Sequence, residues 1–187
     1  MTAAYVVLLG LVGVGRLLEL RISRRNQRRL AGQGIAKATE PHFRWMALLH
    51  GGVLAAAAAE VLWLDRPLIF ALAVPMMALF VAANLLRWWV IRALGGHWNV
   101  EVMASSSLGV VTRGPYRWIR HPNYLAVIIE LFALPMIHTA WITALAGTAA
   151  NLEILRRRLR VEEGVLMADP AYRQAMGGKP RFLPGIF

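Results

Sequence analysis

Apolar residues run along this chain in blocks, several of which approach the roughly 20 residues a helix needs to cross a bilayer. Residues 2–22 predict helix one. Arg16 and Glu19 sit near its far end, three apart and so on one face. They read either as an ion pair snorkelling to the interface or as a polar contact inside a bundle, where ionisable groups are costly. Residues 43–64 predict helix two. Its middle, GGVLAAAAAEV, is rich in small residues that let backbones approach, so this helix is expected at the bundle centre. Helix three is predicted over 67–93. It is free of charge from Pro67 to Leu86, with Pro75 as the place for a kink and Asn84 as its polar interior residue.

Polar clusters punctuate these blocks. Arg24, Arg25, Arg28 and Arg29, then Gly32, Gly34 and Lys37, read as a basic loop over 24–44 with a short amphipathic start. Asp65-Arg66-Pro67 is a tight turn. Arg87, Trp88, Trp89 and Arg92 mark an interface, and a polar connector follows over 95–123. Residues 100–103 and 108–112 read there as short extended pieces, joined by a turn at Ser105, Ser106, Ser107 and Gly109, with Gly114-Pro115 as a second turn. Helix four is predicted over 122–136, with Pro122 well placed in a first turn. Ile137, His138 and Thr139 turn the chain into helix five, which starts near 140 and emerges as RRRLRVEE before Asp169-Pro170 breaks it. Both arms are short for independent spans and predict a helical hairpin packed on the rest. The fold class is therefore all-α integral membrane, about five transmembrane helices in a single domain over 1–187, with three helices in 1–93 and the polar chemistry in 94–187.

Composition supports this picture. The chain is 58% hydrophobic with a mean hydropathy of +0.50, too apolar for an ordinary soluble domain. The formal charge of +11 does not imply nucleic acid, because the basic residues flank the apolar blocks. With no cysteine, disulfides and thiol chemistry are excluded. The first block lacks a charged n-region and a cleavage pattern and reads as a retained helix. The basic loops at 24–44, 87–120 and 156–160 fall on one side, which is then cytoplasmic, as in a bacterial inner membrane. The N-terminus is expected outside and the C-terminus inside, with bilayer lipid as the surrounding partner.

The segment TRGPYRWIRHPNY, residues 112–124, is the densest chemistry in the chain. If helices four and five form a hairpin, Arg120 and His121 meet Arg158, Glu162 and Glu163. Such a pocket can hold a zwitterion. Free backbone N–H groups at the helix start and Arg120 take a carboxylate, and Glu162 or Glu163 takes an ammonium or a ribose. An inter-helix salt-bridge network explains the same residues. His50, in helix two, reads as a packing histidine or a substrate contact; Glu130, in helix four, as a buried ion-pair partner or a base. No metal site is expected: His97 stands four residues before Glu101 without any further ligand pattern.

Gly114-Pro115-Tyr116, Arg120-His121-Pro122 and Tyr124 together resemble the GPY-x3-RHP-x-Y signature of the isoprenylcysteine carboxyl methyltransferase family. Arg158, Glu162-Glu163 and Leu166, then Tyr172 and Arg181-Phe-Leu-Pro184, resemble its second signature, and Leu94-Gly95 with Trp98 its upstream L-G-x2-W. The resemblance covers about residues 94–184. It implies a membrane methyltransferase that uses S-adenosyl-L-methionine, bound from the cytoplasm, on a lipophilic small-molecule acceptor that arrives from the bilayer. On matching positions, Arg120, His121, Pro122 and Tyr124 would hold the cofactor's amino-acid end. Gly114 and Tyr116 would shape the loop over it, Glu162 and Glu163 would complete the pocket, and Arg158 would order the carboxylates or orient the acceptor. Ala126 replaces a common glycine and Met176 a common tyrosine. The first helix and the tail look similar to a bacterial branch acting on alkylpyrone or phenolic polyketide lipids. The resemblance leaves the acceptor and the oligomeric state open.

The implied mechanism is direct transfer of methyl to oxygen. A carboxylate or acidic enol needs no strong base; for an ordinary phenol or amine, His50, Glu130 or His121 are the candidates. Two other classes fit parts of the pattern. A membrane reductase of the sterol-reductase type, using NADPH, has similar cytoplasmic ends. A non-catalytic scaffold would explain the helices but not the paired signatures.

Overall fold

The computed structural model describes residues 1–32, 36–37, 43–100, 103–104 and 109–183. Six helices carry the fold: α1 Thr2–Ala31, α2 Phe43–Trp63, α3 Phe70–Leu94, α4 Pro122–Met136, α5 Trp141–Ala168 and α6 Pro170–Met176. Among the described residues, 3-10 turns at Gly95–His97 and Gly114–Arg117 lie in the connector. Strands β1 Ala36–Lys37 and β2 Met103–Ala104 pair antiparallel, tying the loop after α1 to the connector after α3. Three helices, α1, α2 and α3, are long and apolar enough to cross a membrane; α4 is apolar but shorter. The chain is an integral membrane protein.

Long-range hydrogen bonds order the ends. Tyr5 donates to the Leu134 carbonyl, and Thr139 to that of Pro67, so the start of α1, the α2–α3 turn and the α4–α5 turn share one end. Ser23 meets Asn99, and Tyr124 donates to Glu162 at the other end, where the basic residues gather. Exposed tryptophans mark both levels: Trp63 and Trp141 at the turn end, Trp45, Trp88, Trp89 and Trp118 at the basic end. Aromatic belts of this kind seat a bundle in a bilayer.

The centre belongs to α4. Ala126 and Ala133 are fully buried, and Leu131 and Leu134 nearly so, against α2, α3 and α5. The expectation that small-residue α2 occupies the centre is not met. Val53, Ala57, Glu60 and Val61 are its buried stripe, with Leu49, Leu54 and Ala58 packed beside them, while Gly51, Gly52, Ala55 and Ala56 stay exposed. The close helix approach that small residues permit occurs instead at Gly147 of α5, where a Cβ would come within 2.7 Å of Val53 Cγ2.

Helix α1 also runs past its expected end at residue 22. Arg24 to Arg29 continue it to Ala31, because arginine is a good helix former and nothing breaks the helix before Gly32. Helix α3 begins three residues later than expected, at Phe70, and α5 continues through its charged end as expected. The hairpin of α4 and α5 forms, with Thr139 at φ 55° in its turn. Of the predicted extended pieces, Val100 is a bend and residues 109–112 are coil, whereas Met103 lies in β2. Glu101, Val102, the serine turn at 105–107, Leu108, Gly34 and Pro184 fall outside the described residues.

At the turn end, Glu60 of α2 caps another helix. Its carboxylate accepts from the Ile142 and Thr143 amides at 3.2 and 2.8 Å, from Thr143 Oγ1 at 2.7 Å and from Arg66 Nε at 3.0 Å. The α5 N-cap, Ala140, has no side chain able to do this. Replacing Glu60 by alanine strands these buried donors and should destabilise the protein by about 2 kcal/mol, read as a lower thermal midpoint in detergent, whereas Glu60→Gln should cost less.

Candidate active site

The α4–α5 hairpin brings the start of one helix beside the end of the other, and the two halves of the predicted pocket meet there. Tyr124, one turn into α4, donates its hydroxyl to Glu162 on α5. His121, at the α4 N-cap, stacks on Tyr124 with ring centroids 5.4 Å apart. Its Nε2 lies 3.1 Å from Glu163 Oε1, and Arg120 lies 3.4 Å from the same oxygen. Arg158 donates to the Val100 carbonyl and to Met46 Sδ at 3.1 Å, with its guanidinium 5.5 Å from the Tyr124 ring centroid.

These groups open into a cavity of about 560 Å³, within the usual range for a small-molecule site. One end is polar and aromatic: Tyr116, Arg120, Tyr124, Arg158, Glu162 and Tyr172 face it. The other is bounded by α1 and α2, through Gly13, Leu17, Leu20, Ala47, Gly51 and Leu54. Leu17, Ala47 and Gly51 are also exposed on the outside of the bundle, so the cavity has a mouth on the apolar flank between these helices.

The predicted residues divide by position. His50, Tyr116, Arg120, His121, Tyr124, Arg158 and Glu162 line the cavity; Gly114, Pro122, Glu130 and Glu163 are not among its lining residues. Gly114 acts one layer back. Its φ is +61°, and a Cβ there would sit 2.9 Å from Ala93 Cβ and 3.1 Å from Trp89 Nε1, so only glycine lets the loop press against α3. Pro122 is fully buried at the first turn of α4. Glu163 is enclosed by His121, Arg120 and Arg181, the last forking onto it at 2.6 to 3.1 Å.

Several of the N–H groups at the α4 start have backbone partners. The Arg120 and His121 amides donate to the Pro180 and Arg181 carbonyls at 2.9 and 3.0 Å, and the Tyr124 amide donates to His121 O. Burial and the Glu162 carboxylate push the Tyr116 and Tyr172 phenols up, the latter to about 12, so both remain hydrogen-bond donors.

His50 faces the cavity at its α2 wall, with Nδ1 2.7 Å from the Met46 carbonyl. A carbonyl only accepts, so Nδ1 carries the proton. Glu130 is committed to a buried ion network that the sequence signalled only in part. Arg16 pairs with Glu19 at 2.6 Å and with Glu130 at 3.2 Å; Arg87 pairs with Glu130 at 2.7 Å and with Glu19 at 3.4 Å. Asn84 accepts from Arg16 at 2.9 Å. Arg16, Glu19 and Arg87 line the cavity, so its floor is ionic, and with Glu130 behind them the network carries no net formal charge. The three-residue spacing of Asn84 and Arg87 on α3 was the available signal. Tyr172 and Met176, on the unpredicted α6, complete the wall.

The hydrogen bond from His121, the Arg181 fork and the Arg120 guanidinium hold the Glu163 carboxyl down to about 2, against the opposing push of burial. A carboxylate held below its ordinary value of 4.5 contributes stability above that pH, lost as pH falls toward 2. The thermal midpoint of the wild type relative to Glu163→Gln should therefore stay level above pH 5 and shrink on acidification below about 4.5.

Comparison with known proteins bears on the family and the fold. Residues 76–168 match the family model described as the isoprenylcysteine carboxyl methyltransferase (ICMT) family. A protein of Bacillus subtilis (strain 168), described as uncharacterized protein YpbQ, is 28% identical over 161 residues, 86% of this chain and 95% of that protein. The solved structure of the eukaryotic intramembrane Ras methyltransferase ICMT superposes with a TM-score of 0.59 at 22% identity, covering 76% of this chain and 53% of that one. The likeness establishes a shared fold, and the chain spans about half the length of that solved protein.

Proposed function

We propose, for a chain that belongs to the isoprenylcysteine carboxyl methyltransferase family, that it transfers methyl from S-adenosyl-L-methionine to an oxygen of a lipophilic acceptor taken from the bilayer. The observation that carries this reading is the single cavity that joins a polar, aromatic end to a mouth on the apolar flank. The donor set fits the cofactor. Arg120 suits its carboxylate, Glu162 its ammonium or ribose hydroxyls, and the neutral phenols of Tyr116 and Tyr172 its remaining acceptors. When bound, the cofactor supplies a methyl group on a positively charged sulfur.

The chain's own residues then align and shield. Tyr124 fixes the Glu162 carboxylate, and α6 closes the polar end against water. Arg158, standing between Tyr124 and the connector, is the cation positioned to orient an acceptor oxygen. The acceptor is a carboxylate or an acidic enol or phenol. For a protic acceptor, neutral His50 offers the Nε2 lone pair as base, since Nδ1–H is held by Met46 O. Glu130 acts by holding Arg87 and Arg16 in place rather than by taking a proton.

Detergent-purified protein should bind S-adenosylhomocysteine in the micromolar range by calorimetry, about −8 kcal/mol, and Arg120→Ala should lose that binding while remaining folded. A folded wild type that binds NADPH and not S-adenosylhomocysteine would overturn the reading. The mouth can be tested separately. A side chain added at Gly51 or at Gly52 meets nothing within 4 Å, but only Gly51 lines the cavity. Gly51→Phe should therefore block labelling of interior Leu20 and Leu54 by a photoreactive C16 fatty acid, and Gly52→Phe should not.

A further inference from the structure

We infer that Arg181 is a positioning residue for the cofactor, acting through Glu163 to lock residues 170–182 as the outer wall of the site. The inference rests on the cofactor reading above. The wall is a strap held at four points. Lys179 Nζ donates to the Tyr116 carbonyl at 2.6 Å, and the Pro180 and Arg181 carbonyls accept the Arg120 and His121 amides. The fourth point is the Arg181 fork on Glu163, with Nε at 3.0 and 3.1 Å and a terminal nitrogen at 2.6 Å.

Glu163 is the hub. The same carboxylate receives His121 Nε2 at 3.1 Å and Arg120 at 3.4 Å, the two side chains that start α4 and face the cavity. Four donors from two segments thus converge on one acceptor, which can take them only while Arg181 balances its position. Without the fork, Glu163 is free to swing toward Arg120 and compete with any carboxylate ligand for that guanidinium. The strap also carries Tyr172 and Met176, both in the cavity wall, and Met176 is almost completely buried. Phe182 follows against the His121 ring, with centroids 6.4 Å apart. Arg181 itself is about half exposed and lines no part of the cavity, so its influence on a ligand is transmitted rather than direct.

The test compares wild type, Arg181→Ala, Arg181→Lys, Glu163→Gln and the Arg181→Ala/Glu163→Gln double variant by calorimetry with S-adenosylhomocysteine. Trypsin cleavage after the exposed Arg173 is followed with and without that ligand. Arg181→Ala should bind at least tenfold more weakly, and Arg181→Lys should fall between, since lysine keeps the charge but not the fork. The double variant should bind no more weakly than Glu163→Gln alone. Trypsin should cut after Arg173 faster in Arg181→Ala than in wild type, with ligand protection lost. Equal affinity in wild type and a folded Arg181→Ala, or fully multiplicative effects in the double variant, would overturn the inference. Should Arg181→Ala fail to fold, Arg181→Lys decides by the same comparison. If wild type binds no S-adenosylhomocysteine, the cofactor reading fails, and the strap is judged by trypsin alone: equal cleavage of the unliganded proteins refutes it.

Discussion

A closed set of charges, two arginines and two glutamates, sits where the surroundings are least able to solvate them. Arg16 and Glu19 on α1, Arg87 on α3 and Glu130 on α4 each find opposite charges across the bundle. Any one of them left unmatched at membrane depth would cost several kcal/mol. The geometry that cancels all four admits one rotation and one depth for three helices at once. Apolar packing in lipid is nearly indifferent to such choices, since a leucine gains little by exchanging acyl chain for neighbouring side chain. The network therefore sets the register, and the apolar contacts of Ala133, Leu134 and Phe80 fill in around it.

That register places the chemistry. Helix α4 cannot slide relative to α3 without breaking the Arg87–Glu130 pair, so its N-terminal turn, with His121 and Tyr124, has a fixed height. Helix α5 is fixed to α2 at both levels, by Glu60 on its first turn and by the close approach of Gly147 to Val53. The meeting of Tyr124 with Glu162 is the outcome of these two independent constraints. The site is built at the bundle's end by helices that are positioned in its interior, a rigid support of the kind a transfer reaction needs.

Much of this was legible in the linear pattern. Pro122 in a first turn and the short Ile137-His138-Thr139 break located the hairpin, and the hairpin brought Arg120 and His121 to Glu162 and Glu163. Four things were not legible, each for a physical reason. The end of α1 was misplaced because arginines mark where a membrane stops, not where a helix does. Small residues in α2 signal room near a backbone, and that room proved to be a cavity mouth rather than a neighbouring helix. Arg87, at the end of an apolar run, looked interfacial, and only the third dimension shows it buried against Glu130. The strap was invisible because its anchoring bonds join backbone groups some 60 residues apart, as from the Arg120 amide to the Pro180 carbonyl, and no periodicity encodes them.

The cap on α5 bears on how such a chain reaches its final place. Glu60 and Arg66 lie six residues apart across one tight turn and are already bonded to each other. A helical pair formed early has this carboxylate's charge matched locally, before the later helices exist. When α5 arrives, its unsatisfied amides meet an acceptor that is waiting in position. The order of synthesis and the order of satisfaction thus coincide: the half of the chain made first supplies the template on which the half bearing the reactive groups is completed.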